Sequence, residues 1–270
     1  MDRPDYEIIG RGYSRHRTAD PRIVERLAHM LGPPKNGAIV DVGAGTGNYA
    51  AALVGLGYRV VAVEPSTTMR SQAGDMAGVR WTATMAERMP LPDGCADGIV
   101  CVLALHHFVD ARAAILEMQR VVAGGPIVIF TFDPRMAEPF WFTEYFPDLW
   151  CEAHEAFPPF EEVVELVEGV TGRRVEVSEF RLPHDLWDGF AAAGWRRPRT
   201  YLDAGARAAM SCFALADQSV VGDGLCRLSR DLDSGVWRER HGSVLGLEDF
   251  DAGYRFLSTG WASQPATNLA

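Results

Sequence analysis

Residues 38–49 read AIVDVGAGTGNY, an apolar run that leads directly into a glycine-rich turn. The first five of these residues are mostly valine and isoleucine, which favour an extended strand. Gly43, Gly45 and Gly47 allow a tight turn whose backbone approaches a ligand without intervening Cβ atoms. A helix of small residues is predicted to follow over 50–56. Such a strand, turn and helix form the first half of a βαβ unit, which binds its ligand at the carboxyl end of the strand.

The turn departs from the dinucleotide-binding fingerprint G-x-G-x-x-G, because Asn48 occupies the position of the third glycine. Asp41, two residues before Gly43, would repel a pyrophosphate but not a cofactor that presents an ammonium and a sulfonium. S-adenosylmethionine (SAM) fits this description. Glu64 ends the next apolar run, where an acid accepts hydrogen bonds from ribose hydroxyls. Glu64 would serve SAM and NAD equally, so Asp41 and Asn48 are what favour SAM.

Four motifs occur in order along the chain: D-x-G-x-G-T-G, E-P-S, A-E-x-x-P and L-H-H. Between Tyr13 and Asp133 the chain therefore resembles the class I SAM-dependent methyltransferases, and specifically their small-molecule, UbiE-like group. The resemblance implies an enzyme that moves a methyl group from SAM to a small acceptor and releases S-adenosylhomocysteine. It implies no metal cofactor.

The resemblance also implies which residues contact SAM. The glycine turn would pass the methionine part, the acid after strand two would bind the ribose, and the segment after strand three would frame the adenine. Family members often carry an aspartate where this chain has Met85, so the adenine would rest on backbone groups and the soft thioether. The full predicted set is Tyr13, Arg17, Asp41, Gly43, Ala44, Gly45, Glu64, Pro65, Met69, Met85, Ala86, Glu87 and Leu103.

Tyr13 and Arg17 precede the first predicted helix. Related enzymes often fold an N-terminal Tyr and Arg over the cofactor, and Arg17 would form a charge-assisted pair with the SAM carboxylate. The alternative is a solvated basic patch before the helix.

Methyl transfer from a sulfonium is an in-line displacement, which needs alignment of the nucleophile more than it needs an acid or a base. A base within hydrogen-bond reach helps when the nucleophile is a hydroxyl or an activated carbon. His106 and His107 follow strand four at the edge where an open α/β sheet binds ligands, and His107 is the preferred catalytic candidate. His184 is a secondary candidate. For each histidine a packing, capping or hinge role is the alternative.

Six aromatic residues fall within positions 140–150, interrupted by Pro147. This composition predicts neither a regular strand nor a long helix. Four aromatic side chains are predicted to line the acceptor pocket together with His107, and as a group they favour an apolar or aromatic acceptor. The four are Trp141, Tyr145, Trp187 and Trp195. Packing in the core is the alternative for each of them.

The spacing of apolar residues predicts alternating strands and helices, which specify a doubly wound α/β fold with a parallel, Rossmann-like sheet. Asp20 is predicted to cap a helix over 21–31, which Gly32 ends. Strands are predicted from 38 and over 59–63, 79–83, 98–103 and 126–132. Helices are predicted over 66–73 and 111–122.

Beyond Asp133 the pattern predicts a helix over 160–170, a strand over 174–181, a mostly helical run over 185–232 and a last strand from 252. In the methyltransferase fold the last two of seven strands form an antiparallel hairpin, so a helical cap is expected between them. Such a cap would enclose the acceptor and exclude water. The expected organisation is an N-terminal lid and helix (1–35), a SAM-binding core (36–182) that includes the aromatic segment 134–158, a cap (183–250), and the last strand and tail (251–270).

The 270 residues are 47% hydrophobic and 23% charged, as is ordinary for a globular protein with a sizeable core. A net charge of -10 argues against a nucleic-acid substrate and favours a small molecule. The five cysteines show no metal-ligand spacing, and neither a signal segment nor an apolar run of membrane-spanning length occurs. We expect a cytoplasmic protein that binds no membrane, as a monomer or a homodimer.

Two other functions remain open at this point. A nicotinamide-dependent oxidoreductase would use a similar strand and turn, although Asn48 and the lack of a Tyr-x-x-x-Lys pair argue against it. A non-catalytic SAM-binding protein would share every cofactor motif and lack the chemistry.

Overall fold

The structure is a computed structural model that describes residues 15–73 and 76–261. Nine strands occur in this part of the chain: β1 Ala38–Val42, β2 Arg59–Val63, β3 Val79–Thr82, β4 Ala96–Val102, β5 Ile127–Phe132, β6 Glu176–Glu179, β7 Leu182–Pro183, β8 Asp249–Phe250 and β9 Tyr254–Ser258. Seven of them form one sheet in the order β3-β2-β1-β4-β5-β9-β6. Strands β1 to β5 are parallel, and β9 is antiparallel to both β5 and β6. The predicted Rossmann-like sheet and its final antiparallel hairpin are confirmed.

The described α-helices are α1 Pro21–Leu31, α2 Asn48–Gly55, α3 Thr67–Ser71, α4 Ala111–Val121, α5 Phe142–Tyr145, α6 Pro147–Ala156, α7 Phe160–Thr171, α8 Ala204–Ala208, α9 Ser211–Leu215, α10 Gln218–Ser234 and α11 Val236–His241. Several begin at a polar side chain that accepts a hydrogen bond from the first turn, because the first amides of a helix have no partner within it. Asp20 accepts from the Arg22 amide, Ser66 from Met69, and Asp110 from Ala113. The predicted N-cap of α1 is confirmed.

Two hydrophobic clusters cover the two faces of the sheet. Successive side chains of a strand point to opposite faces, so Ile39 joins one cluster whereas Val40 and Val42 join the other. The first cluster includes α1, α2 and most of the aromatic residues beyond Phe130. The second includes α4 and α7. The carboxyl ends of the parallel strands lie between these layers.

The segment between β6 and β9, residues 180–253, carries helices α8 to α11 and is called the cap below. Strands β7 and β8 pair at its base, where Leu182 faces Phe250 in an antiparallel register. The predicted insertion of a helical cap between the last two sheet strands is confirmed. Its helical part runs past the predicted residue 232 to Gly246, and β6 is shorter than predicted.

The aromatic segment forms two short helices, α5 and α6, with Pro147 at the first position of α6. A proline fits there because its missing amide would have no helical partner in any case. Buried Phe142 and Phe146 pack against Phe213 of α9 in the cap, with ring centroids 5.7 and 5.0 Å away. The aromatic segment therefore joins the cap to the sheet.

Candidate active site

The glycine turn follows β1 and requires glycine at two positions. Gly43 and Gly47 have φ angles of 75° and 80°, in the left-handed region that disfavours a Cβ atom. An added Cβ on Gly43 would lie 2.4 Å from the Ala104 Cβ, and one on Gly47 would lie 2.7 Å from the Trp81 ring. The amides of Gly43 and Ala44 both donate to the Val63 carbonyl at the end of β2. The turn is thereby held close to both neighbouring strands.

Glu64 joins the end of β2 to this turn. One of its carboxylate oxygens accepts a hydrogen bond from the Gly45 amide at 3.0 Å, and the other accepts from the Ser66 amide at 2.8 Å. The residue is buried. A carboxylate at the end of the second parallel strand is the kind of group that accepts hydrogen bonds from the hydroxyls of a ribose.

A cavity of about 460 Å³ lies at the carboxyl ends of β1, β2 and β4. Eleven residues of the predicted cofactor set line it: Arg17, Gly43, Ala44, Gly45, Glu64, Pro65, Met69, Met85, Ala86, Glu87 and Leu103. Tyr13 lies outside the described residues. Sequence reasoning missed several further lining residues, among them Thr46, Asn48, Tyr49, Ser66, Phe108 and Asp188. Those near the glycine turn could have been inferred from proximity in sequence, but Asp188 could not.

Three acidic side chains and one arginine are among the described residues that line this cavity. Glu64, Glu87 and Asp188 are acids, and among the lining residues that the structure describes Arg17 alone is an arginine or lysine. The Glu87 carboxylate accepts from the Val109 and Asp110 amides at 2.5 and 3.1 Å. The described part of the wall is therefore net negative, which disfavours a pyrophosphate and favours a ligand with net positive charge.

Asp41 is placed differently from the prediction. It is 1% exposed beneath the turn and does not line the cavity, which corrects the expected direct contact with the cofactor. The cause is the pleat of β1, which directs this side chain into the protein. Burial, together with the negative charge of Glu64, raises the pKa of Asp41 to about 7. One carboxyl oxygen has no hydrogen-bond partner among the described residues.

We expect Asp41→Asn to change how stability depends on pH. An unfolded aspartate has a pKa of about 3.9, so between that pH and about 7 the folded state binds the extra proton. Stability then falls as pH rises through this range. Asparagine does not titrate at this position. The free energy of unfolding of the variant minus that of the wild type should therefore be on the order of 2 kcal/mol larger at pH 8 than at pH 5. Urea unfolding without ligand measures this, and an equal difference at both pH values would contradict it.

A second cavity of about 90 Å³ adjoins the first and is called the chamber below. Arg17, Leu103 and His107 line both cavities. Most of the other lining residues of the chamber are apolar or aromatic: Phe132, Phe140, Phe142, Leu149, Trp150, Ala153, Phe157, Phe190, Ala191, Ala192, Met210 and Tyr254, with His106, Ser211 and Cys212 as the remaining polar contributions. The two cavities therefore meet at three side chains.

Leu103 holds an unusual backbone conformation at this junction. Its φ of 51° is the one positive value found at a non-glycine residue in the described ranges. A leucine in the left-handed region is strained by about 1–2 kcal/mol, and such strain persists only where the surroundings enforce it. The Leu103 amide donates to the Phe130 carbonyl of β5 at 2.8 Å, which holds the residue in place. The bend directs the chain from β4 into the histidine pair.

His106 and His107 lie in a short 3-10 helix at the end of β4. Their ring centroids are 3.7 Å apart, and the His106 ring lies 3.9 Å from that of Phe157. Burial, with a contribution from His107, lowers the pKa of His106, so its ring is neutral at physiological pH. The His106 Nδ1 atom is buried and has no hydrogen-bond partner among the described residues. The structure brings His107 to the junction and His106 to the chamber.

The remaining predicted acceptor-site residues do not line either cavity, which corrects those predictions. His184 is partly exposed at the base of the cap, with Nδ1 3.2 Å from the Glu248 carbonyl oxygen. Trp187 is 62% exposed. Trp141, Tyr145 and Trp195 are buried and join the cap to the aromatic segment.

Hydrogen bonds hold Trp141 and Tyr145 in the contact with the cap. The Trp141 Nε1–H donates to the Trp195 carbonyl at 2.7 Å, and the Tyr145 hydroxyl donates to Asp231 of α10 at 2.9 Å. Their neighbours Phe140, Phe142 and Trp150 line the chamber instead. Aromatic composition identified the segment, but only the packing of α5 and α6 decides which ring faces which side.

In residues 15–73 and 76–261 no helix combines the length and the apolar character needed to cross a bilayer. The same ranges contain no group of three or more histidine, cysteine, aspartate or glutamate side chains arranged to hold a metal ion.

A family model described as a methyltransferase domain matches residues 40–130, which contain the glycine turn, Glu64 and the histidine pair. The crystal structure of a candidate methyltransferase from an antibiotic biosynthesis pathway of Anabaena variabilis is 46% identical in sequence. The match covers 90% of this chain and 98% of that chain, with a TM-score of 0.88. The similarity therefore extends over the cap as well as the cofactor-binding core.

Curated relatives match over a shorter region. A ubiquinone/menaquinone biosynthesis C-methyltransferase of Rubrivivax gelatinosus is 30% identical over 128 residues, which are 46% of this chain and 49% of that protein. A candidate tocopherol O-methyltransferase of Oryza sativa is 29% identical over 140 residues, covering 47% and 39% of the two chains. The chain thus spans half or less of the length of these relatives. The full-length match and the family model, with the site geometry, show that the chain belongs to the class I SAM-dependent methyltransferase family.

Proposed function

We propose that this protein transfers the methyl group of SAM to a small apolar or aromatic acceptor, leaving S-adenosylhomocysteine. The observation that carries the proposal is the junction of the two cavities at Arg17, Leu103 and His107. A ligand in the larger cavity and one in the chamber would meet there. Methyl transfer requires this kind of alignment between donor and nucleophile.

The charge of the cavity wall supports SAM as the donor. SAM carries an ammonium, a sulfonium and a carboxylate, so it has a net charge of +1 and suits a wall with three acids and Arg17. Gly43 lines the cavity, and without a Cβ its backbone is open to a ligand there. After transfer the sulfonium becomes a neutral thioether, so the product is attracted less strongly than SAM. This difference favours exchange of product for a new donor.

The walls of the chamber support an apolar acceptor. Phe132, Phe157 and Phe190 are among at least six aromatic side chains there, and a charged acceptor would lose its hydration without compensation. The volume of about 90 Å³ is smaller than the roughly 150 Å³ cavity that accommodates benzene. An aromatic acceptor would therefore extend into the junction or widen the chamber by displacing the cap. The names of the relatives include both C- and O-methyltransferases, so they do not select the acceptor atom.

His106 supports an acceptor with a neutral hydroxyl. Nδ1 has no partner among the described residues and almost no accessible surface. An acceptor O–H that reached it after a small shift of the ring would recover the roughly 1–3 kcal/mol that an unpaired buried nitrogen costs. An amine would enter as an ammonium, which the apolar walls disfavour. When bound, SAM supplies the electrophilic methyl group, whose bond to sulfur breaks as the bond to oxygen forms. As the bond from oxygen to the methyl carbon forms, the hydroxyl proton becomes acidic enough for His106 to accept it despite the lowered pKa of this histidine. His107 would position the acceptor beside the junction.

The test is turnover of methyl-labelled SAM with a panel of small phenols, quinols and aliphatic alcohols, with labelled product identified by mass spectrometry. Transfer to at least one hydroxyl acceptor supports the proposal. Binding of SAM without transfer to any acceptor would favour the non-catalytic SAM-binding protein. Binding of NADH in preference to SAM would favour the oxidoreductase.

We expect His106→Phe to lower kcat by about 100-fold or more, since general bases contribute about 10² to 10⁴. Phenylalanine keeps a planar ring between His107 and Phe157 but removes both nitrogens. The Kd for S-adenosylhomocysteine should change less than twofold. His184→Ala is the matched control, because His184 lies outside both cavities and should retain wild-type kcat. An unchanged kcat in His106→Phe would assign this histidine to packing alone.

A further inference from the structure

Asp188 of the cap reaches the cofactor cavity, although it is more than a hundred residues from the glycine turn. It is 1% exposed. The Arg17 guanidinium pairs with both of its carboxylate oxygens, and one of these also accepts the Tyr49 hydroxyl at 2.9 Å. Arg17, Tyr49 and Asp188 all line the cavity. These three residues, called the cluster below, therefore present a cation and an anion side by side at the wall of the larger cavity.

Three segments of the chain converge at this cluster. Tyr49 belongs to α2, directly after the glycine turn. The Asn48 side-chain amide donates to the Arg17 carbonyl at 2.5 Å, and the Gly189 amide donates to the His16 carbonyl at 3.0 Å. An added Cβ on Gly189 would lie 2.4 Å from that carbonyl oxygen. The segment before α1 thus lies between the cap and the turn, at the end of the cavity that the turn forms.

Asp188 differs from the other two acids of the wall in what it can offer a ligand. Both Glu64 and Glu87 belong to the core and accept hydrogen bonds from backbone amides. Asp188 accepts from side chains, one of which is the cavity's arginine. The amino-acid end of SAM is a zwitterion, whose carboxylate and ammonium require a cation and an anion close together. Arg17 and Asp188 provide that pair.

We propose that Asp188 binds the α-ammonium of SAM while Arg17 binds its carboxylate, so that a cap residue completes the cofactor site. This inference rests on the proposed function, because it assumes that SAM occupies the larger cavity. Arg17, Asp188 and the ammonium and carboxylate of SAM would then form a group of four charges, in which each charge has a neighbour of opposite sign. Binding of the donor then secures the cap over the chamber, which links occupancy of the donor site to closure around the acceptor.

A cycle of two proteins and two ligands tests this contact. Calorimetry compares S-adenosylhomocysteine with its analogue in which a hydroxyl replaces the α-amino group. The wild type should bind the amino form about tenfold more tightly or better, as expected for a hydrogen bond between charged groups. Asp188→Asn should lose most of that preference. An equal preference in both proteins would overturn the proposal.

Asp185→Asn is the matched control. Asp185 is also a cap aspartate paired with an arginine, Arg22 at 2.6 Å, but it is exposed and lies outside both cavities. The control should retain the wild-type preference for the amino form. Loss of the preference in Asp185→Asn as well would overturn the assignment to Asp188.

Hydrogen exchange on the unmodified protein covers the case in which Asp188→Asn does not fold. S-adenosylhomocysteine should slow amide exchange over residues 186–195, whereas 5′-methylthioadenosine, which lacks the amino-acid part, should not. Equal protection by both ligands would overturn the proposal while leaving the cofactor cavity supported. If the folded wild type binds neither ligand, the proposed function fails and the inference fails with it.

Discussion

Gly43→Ala is expected to lower affinity for S-adenosylhomocysteine by about 100-fold or more. Its φ of 75° costs an L-residue about 1–2 kcal/mol, and the new Cβ would lie 2.4 Å from the Ala104 Cβ. Real Cβ atoms do not approach so closely, so either the turn or the end of β4 must shift. Both line the cofactor cavity, and Ala104 directly follows the strained Leu103. The displacement should therefore reach the binding surface whichever side moves.

Calorimetry with S-adenosylhomocysteine measures the loss, and thermal unfolding shows whether the variant remains folded. Gly55→Ala is the matched control, because Gly55 ends α2, is exposed, and has nothing within 4 Å of an added Cβ. There alanine should leave binding unchanged and raise stability by up to about 1 kcal/mol, through reduced freedom of the unfolded chain. If Gly43→Ala binds within threefold of the wild type, the turn does not approach the ligand as we infer.

Glu64→Ala is expected to lower the affinity for S-adenosylhomocysteine by about two orders of magnitude. Hydrogen bonds to a charged group contribute about 1.5–3 kcal/mol each, and the carboxylate would accept two from the ribose. The substitution also leaves the Gly45 and Ser66 amides without their present acceptor. The turn and the end of β2 then lose their connection, so the thermal unfolding midpoint should fall as well.

Glu64→Gln separates these two contributions. Glutamine keeps one accepting oxygen at nearly the same position but loses the charge and the second acceptor. Its affinity for S-adenosylhomocysteine should lie between those of the wild type and Glu64→Ala. If Glu64→Ala is destabilised but binds with wild-type affinity, Glu64 is an anchor of the turn and does not contact the ligand.

The cofactor half of the site was predictable because its residues are close in sequence to the strand ends that carry them. The run 38–49 contains both β1 and the start of α2, and Glu64 directly follows β2. Local rules therefore place these side chains at one edge of the sheet. The charge of Asp41 alone did not predict its position, because its direction on the pleated strand takes the side chain into the protein.

The aromatic half of the site was predictable only as a composition. Trp141 is buried in the contact with the cap, whereas Phe140 and Phe142 on either side of it line the chamber. All three are large aromatic residues, so residue type does not distinguish which of them lines the chamber. The difference depends on how α5 and α6 pack against a cap that comes from a distant part of the chain. His184 and Trp187 illustrate the same limit, since both lie in the cap and neither faces a cavity.

Short-range information in the sequence determined the parallel sheet, the glycine turn and the acid that anchors it, because strand, turn and helix preferences act over a few neighbouring residues. Only the tertiary structure decided that Asp188 meets Arg17 at the larger cavity, that His107 lines both cavities whereas His106 lines the chamber, and which aromatic rings line the chamber. These arrangements depend on contacts between segments more than a hundred residues apart in several cases. Their geometry is set by the packing of the whole core, which no local pattern specifies.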